Sequence, residues 1–383
     1  MPSCHRPSQH PDCSGAGRLA GWLLAFGIAA AAFCGLPPGA TGQTTIQNTA
    51  GTDATAPPEA PIRLRIVGGA AGFSLYYRHE APFWTQTVPA ITGGRVQAEI
   101  MPFGGTGLSG QKMLHVMRLG VVPFGRVALS AAAEEPELDA LDLPVLNPDL
   151  ATLRRNTALW RPRLQALLRD RHGIELLAIY LQPAQVMFCR RPFSGLADLA
   201  GRRIRTSSVG QSELVAGLGA TPVVTAIADL VPAIRSGAVE CAITGTLSGN
   251  AIGLHEVTTH VSHFALGWGI SLFGASLGAW NALPEPIRDQ LRTSLEQLQK
   301  EVWQAAEQET EVGLACNTGR PDCATGRRGA MTLVAEPWRD EAKRVRILLD
   351  IVLPAWERRC GPDCGNAWNS VLAPSLGIRA RTE

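Results

Sequence analysis

The chain has 383 residues, 45 % of them hydrophobic, enough to bury one large core or two ordinary ones and too apolar for general disorder. Its 35 basic and 33 acidic side chains leave a formal charge of +2, which excludes the strong positive field of a nucleic-acid-binding chain. Beyond the N-terminal leader, no segment is long and apolar enough to cross a bilayer.

Residues 1–42 read as an export signal. Arg18 precedes an apolar stretch over 19–36, Pro37 and Pro38 break it, and the small residues of 40–42 offer a cleavage site ahead of Gln43. The apolar length also fits an uncleaved anchor. Cys34 is a poor lipid acceptor, because Phe33 stands where a small residue is wanted. Residues 43–61, rich in Thr, Ala, Gly and Pro, read as a flexible tether. Alternation over 62–67 then predicts a strand, and helical spacing follows over 73–91. A strand at 96–103, a glycine loop at 104–110, a helix at 111–118 and a strand at 121–129 complete an α/β pattern with a largely parallel sheet. A helix over 149–171 and a strand over 175–180 lead to the break at Gln182 and Pro183. A second α/β unit follows: strands at 186–190, up to Arg205, at 222–225 and at 239–244, with helices at 211–218 and 227–236. After Pro284 and Pro286 a long helix runs over 287–314.

One run carries most of the information: Pro192-Phe-Ser-Gly-Leu-Ala-Asp-Leu-Ala-Gly201-Arg-Arg-Ile-Arg205-Thr, then Gly217-Leu-Gly-Ala-Thr-Pro222. Further on come the segments SGAVECAITG and LHEV, and a tryptophan, Trp280, ahead of Leu283 and Pro284. In order and spacing these parts resemble the solute-receptor subunit of tripartite ATP-independent periplasmic (TRAP) transporters, the DctP-like family, over residues 62–315. The resemblance implies a periplasmic two-lobed α/β binding protein of type II, with lobe I over 62–182 plus 271–310. Lobe II would then hold 183–270 plus 311–383, including a cysteine-rich C-terminal extension. It also implies a small organic acid as ligand, a two-subunit membrane permease as partner, no cofactor and no catalysis. In the family the strand-end arginine, here Arg205, grips the ligand carboxylate. The chain departs from relatives at Gln185, where a second arginine is common, at Thr244, where asparagine is common, and at Glu240 and Cys241, which replace Asp-Gly.

Chemistry alone supports a narrower statement about Arg205. A guanidinium at a strand end can hold a carboxylate through two parallel charge-assisted bonds, or it can pair on the surface with Asp198 or Glu213. Gln185, Ser207, Ile227 and Thr244 are the candidate contacts from the second lobe. Phe73, in the turn that begins at Gly68, and Gly105 and Gln111, in the glycine loop, are candidates from the first.

That loop, Gly105 to Gly110, has the GxGxxG form between a strand and a helix, so an exported nucleotide-using enzyme is the rival reading. A dinucleotide fold also wants an acidic residue about 20 positions on, and 121–133 holds none. Six cysteines follow the leader. Export favours pairing Cys316 with Cys323 and Cys360 with Cys364, and zinc on these four thiols is the alternative. His255 and His260 stand five apart, which puts them on different sides of a helix and breaks a zinc-protease pattern.

Overall fold

A computed structural model describes residues 60–105, 110–131, 134–335 and 341–381. The leader and nearly all of the tether lie outside them, as do Thr106 to Ser109 of the glycine loop. The chain forms β1 (Ile62–Val67), β2 (Val96–Met101), β3 (Phe124–Ala128) and β4 (Ile174–Tyr180), then β5 (Gln185–Cys189), β6 (Arg203–Thr206), β7 (Thr221–Val224) and β8 (Cys241–Gly245). It goes on through β9 (His260–Ser262), β10 (Ser271–Ser276) and β11 (Thr332–Val334). One sheet has the order β2-β1-β3-β10-β4 and the other β11-β9-β5-β8-β6-β7. The fold is therefore two-lobed α/β.

The sheets are mixed, not largely parallel. β1 pairs in parallel with β2 and β3, but β10 runs antiparallel to both β3 and β4. The chain leaves the first sheet at the end of β4, builds the second, and re-enters the first at that same end as β10, Ser271 beside Tyr180, so β10 runs in the reverse direction. β5 is antiparallel to β8 for the same reason.

The long helix Glu285–Thr318 ties the two sheets together. Its N-terminal half turns Ile287, Leu291, Leu295, Leu298 and Val302 into the core of the first sheet, the three-to-four spacing of an amphipathic helix. It also closes the edge strand β4: Gln299 Oε1 accepts from Ile179 N at 2.7 Å and Trp303 Nε1 donates to Ile179 O at 2.7 Å. Farther along, Thr310 Oγ1 accepts from Ala184 N at 2.9 Å and Asn317 Nδ2 donates to Thr246 O at 2.9 Å, contacts with the elements around β5 and β8. Gly319, at φ 74°, ends the helix in the left-handed conformation that glycine adopts most easily.

Among the described residues three disulfides are present. Cys316–Cys323 and Cys360–Cys364 join the close pairs, and Cys189–Cys241 links directly paired positions of β5 and β8. These bonds leave none of the six thiols as a zinc ligand. Past the long helix the chain forms Glu341–Ile347, Leu353–Cys360 and Pro362–Val371. Trp356 and Trp368 are fully buried here with ring centroids 5.8 Å apart. This extension lies against both the 136–147 segment and the helix Val209–Gly217. Trp356 Nε1 donates to Pro136 O, Arg344 Nη1 donates to Val145 O, and Ile351 packs on Gly217.

Candidate functional site

A cavity of about 240 Å³ opens where the ends of the two sheets face each other, and Arg205 lies in its wall. Arg205 is the third residue of β6, in register with Val223 of β7 and Ala242 of β8. Being interior to the sheet, its side chain is only 5 % exposed. Two carbonyls fix the head group: Nε donates to Thr225 O at 3.0 Å and Nη1 to Ile243 O at 2.8 Å. No carboxylate among the described residues reaches it. Asp198 instead accepts from the Ser194 backbone and hydroxyl, and Glu213 accepts from Arg359, so the surface pairings considered for Arg205 are not made. Burial without a counter-charge lowers its pKa from the ordinary guanidinium range to about 10. Three of its five N–H donors have no acceptor among the bonds described.

Ser207 and Gln211 extend the wall at the start of the helix Val209–Gly217, which Ser208 caps through its hydroxyl. Gln211 Oε1 accepts from both Ser207 N and Ser207 Oγ, which locks this corner. Thr244, Gln185 and Ile227 line the cavity as well, and Phe73 lines it from the opposite side. The Gln185 amide donates to Pro183 O and lies between Gly245 and Gly269, where a Cβ at either glycine would stand 3.2 Å from Nε2. Gly110 reaches the cavity, whereas Gly105 is described only by its backbone and the side chain of Gln111 lies outside the described residues.

Two charged residues of the wall were not anticipated from the sequence. Arg126, on β3 opposite Phe273 of β10, lies flat against Gly69, where a Cβ would stand 2.4 Å from its Nη1. Behind it, Glu80 is completely buried, with Oε2 accepting from Gly69 N at 2.8 Å and facing Arg126 Nη1 at 3.5 Å. Burial pushes the Glu80 carboxyl up, while Arg126 and the Gly69 N–H oppose the rise. A lone charge in the apolar run of β3 was the available signal for Arg126. Asp142 is the second. Its two oxygens accept from Trp268 N and Ile270 N, across the left-handed turn at Gly269 (φ 56°). Burial first, then repulsion from Asp139, raises it to about 7.

The three histidines of 255–263 make no metal site: among the described residues no cluster of His, Cys, Asp and Glu could hold an ion. His255 faces the Asn250 amide and His260 the Thr259 hydroxyl. No described helix is long and apolar enough to cross a membrane.

Two mixed sheets bridged by crossing strands and one long helix, with a cation-bearing cavity between them, define a two-lobed solute-binding protein. The chain belongs to the bacterial extracellular solute-binding proteins of family 7, DctP, the receptor family of TRAP transporters, which it matches over residues 75–314. No curated protein matches it in sequence. Among solved structures it is similar to DctP7 of Bordetella pertussis, an extracytoplasmic solute receptor binding pyroglutamic acid, at 21 % identity and TM-score 0.70 over 80 % of this chain and 98 % of that one. A TRAP periplasmic solute-binding protein of Sulfitobacter with bound β-D-galacturonate matches at 16 % identity and TM-score 0.68, over 80 % of this chain and 98 % of that one. One of Pseudomonas aeruginosa with bound L-malate matches at 18 % identity and TM-score 0.64, over 78 % and 100 %.

Proposed function

We propose that this chain is an extracytoplasmic receptor that captures a small organic acid between its two lobes and delivers it to a TRAP-type membrane permease. The observation that carries the reading is Arg205, a buried guanidinium with spare donors facing a cavity and no carboxylate paired with it among the described residues. Leaving such a group unpaired is costly, and a ligand carboxylate relieves the cost through two parallel bonds. The acids bound by three structural relatives, pyroglutamate, galacturonate and malate, support the same ligand class. Gln185, Ser207, Ile227 and Thr244 would shape the second-lobe wall and Phe73 would close it from the first, with Gly105 and Gln111 in the neighbouring loop.

Lobe I comprises 62–182 plus 271–310 and lobe II 183–270 plus 311–383 in this reading, with crossings at 181–183, at 269–272 and along the long helix. Ligand touches both lobes and so favours the closed arrangement from a population already sampled. The leader over 1–42 places the mature chain in the periplasm.

The test is a thermal-shift screen of mono- and dicarboxylates, hydroxy acids, oxo acids and sulfonates on the chain from Gln43, repeated on Arg205→Ala. At a hundredfold excess over Kd a true ligand stabilises by about 2.7 kcal/mol. The hit is expected to stabilise the parent and not the variant. A ligand that stabilises both equally refutes the clamp.

A further inference from the structure

We infer that Arg126, held in place by Glu80 and Gly69, is a specificity-determining residue that selects acids bearing a neutral acceptor, such as an oxo or lactam carbonyl, at the end remote from Arg205. The inference rests on the carboxylate reading of Arg205 and narrows it.

Three groups set the charge of the cavity. Arg205 contributes a positive charge, and no carboxylate among the described residues is paired with it. Arg126 is also in the wall, but its guanidinium faces Glu80 Oε2 at 3.5 Å, and Glu80 is fully buried with no other cation beside it among the described residues. A guanidinium keeps its proton at any physiological pH, and with Glu80 ionised, the form that its bonds to Gly69 N and Arg126 favour, the two make a neutral pair with donors on the cavity side. Asp142, the third group, has both oxygens engaged by backbone N–H groups and adds no positive charge in either protonation state. The cavity therefore offers one net positive charge at most. That matches a monoanion, and a second carboxylate would have no compensating charge of its own.

Geometry says what Arg126 can do instead. Its one described bond goes backwards, to Glu80, and leaves further N–H groups for a ligand. The guanidinium is clamped between that carboxylate and the Gly69 backbone, whose N–H is itself taken by Glu80. A rigid, internally neutralised donor favours a carbonyl or lactam oxygen. Residue 126 lies on β3 of the first sheet and Arg205 on β6 of the second, so a ligand reaching both spans the cleft.

The experiment is calorimetric titration of the chain from Gln43 with matched acids of equal length, bearing at the remote end a carbonyl, a methylene or a second carboxylate. The proteins are the parent, Arg126→Gln, Glu80→Gln, Gly69→Ala and Arg205→Gln. The parent is expected to prefer the carbonyl acid over both others. Arg126→Gln should weaken the carbonyl acid about tenfold or more, the scale of one charge-assisted bond lost in a dry site, and the methylene acid less than about threefold. Gly69→Ala, which displaces the guanidinium without removing it, should show the same selective loss. Glu80→Gln keeps the shape and the Gly69 bond while removing the negative charge, so preference should shift toward the dicarboxylate. Equal losses for all three acids in Arg126→Gln, a parent that prefers the dicarboxylate, or an unchanged preference in Glu80→Gln would each overturn the inference. Loss of no acid in Arg205→Gln would overturn the reading beneath it, independently of Arg126.

Discussion

Replacing Arg205 by methionine separates a ligand clamp from a structural strut. Burial lowers its pKa to about 10, which corresponds to about 3 kcal/mol of unfavourable burial of the charged form. Methionine removes that cost and fills similar apolar space. Against it stands the loss of two donors, which leaves Thr225 O and Ile243 O unpaired at about 1–3 kcal/mol each. The two effects offset, so the ligand-free variant should unfold within about 3 kcal/mol of the parent in urea. Binding loses two charge-assisted bonds, about 3–6 kcal/mol together, or a fall in affinity of about 10²–10⁴. Urea unfolding and calorimetric titration on the same preparation measure both quantities. A variant that is destabilised by more than about 5 kcal/mol yet binds the acid normally would refute the reasoning, because Arg205 would then be holding β6 to β8 and not a ligand.

Asp142 gives a pH signature. Anionic ligand is repelled by its ionised form, so affinity should rise as pH falls through about 7, and Asp142→Asn should flatten the profile in titrations on either side of neutrality. The same shift has a stability counterpart of defined sign: between its ordinary 3.8 and about 7 the folded state binds more protons than the unfolded one, so stability should fall as pH rises through that window. Removing Cys189–Cys241 by paired alanines should cost about 4 kcal/mol in urea unfolding and removing Cys316–Cys323 only about 2, since the first closes a loop of 52 residues and the second one of 7. Trp356→Ala should destabilise the chain by about 3–5 kcal/mol, measured the same way, because the ring is fully buried against Trp368 and its N–H holds Pro136 O.

The second-lobe half of the site was legible because it is local in the chain. Arg205, Ser207 and Gln211 lie within seven positions of one another at a strand-to-helix turn, and the pattern of strand, polar loop and helix marks the place. The first-lobe half is assembled from distant segments. Arg126 meets Glu80 across 46 positions and Asp142 meets Trp268 across 126, and no periodicity encodes such pairs. β10 was hidden for a similar reason: its residues are buried throughout and show no alternation, so only its return between β3 and β4 identifies it as a strand. The helices of the extension were not read from the sequence, where Pro354, Gly361 and Pro362 interrupt any helical period, and they pack around the common core of Trp356 and Trp368.

The most direct measurement is a crystal structure of the chain from Gln43 with the acid that the screen selects. The account predicts one ligand carboxylate on the Arg205 guanidinium, with N···O distances of about 2.8 Å, and the remote end of the same molecule on the first-sheet side of the cavity. An acid bound elsewhere while Arg205 contacts only Thr225 O and Ile243 O would contradict it.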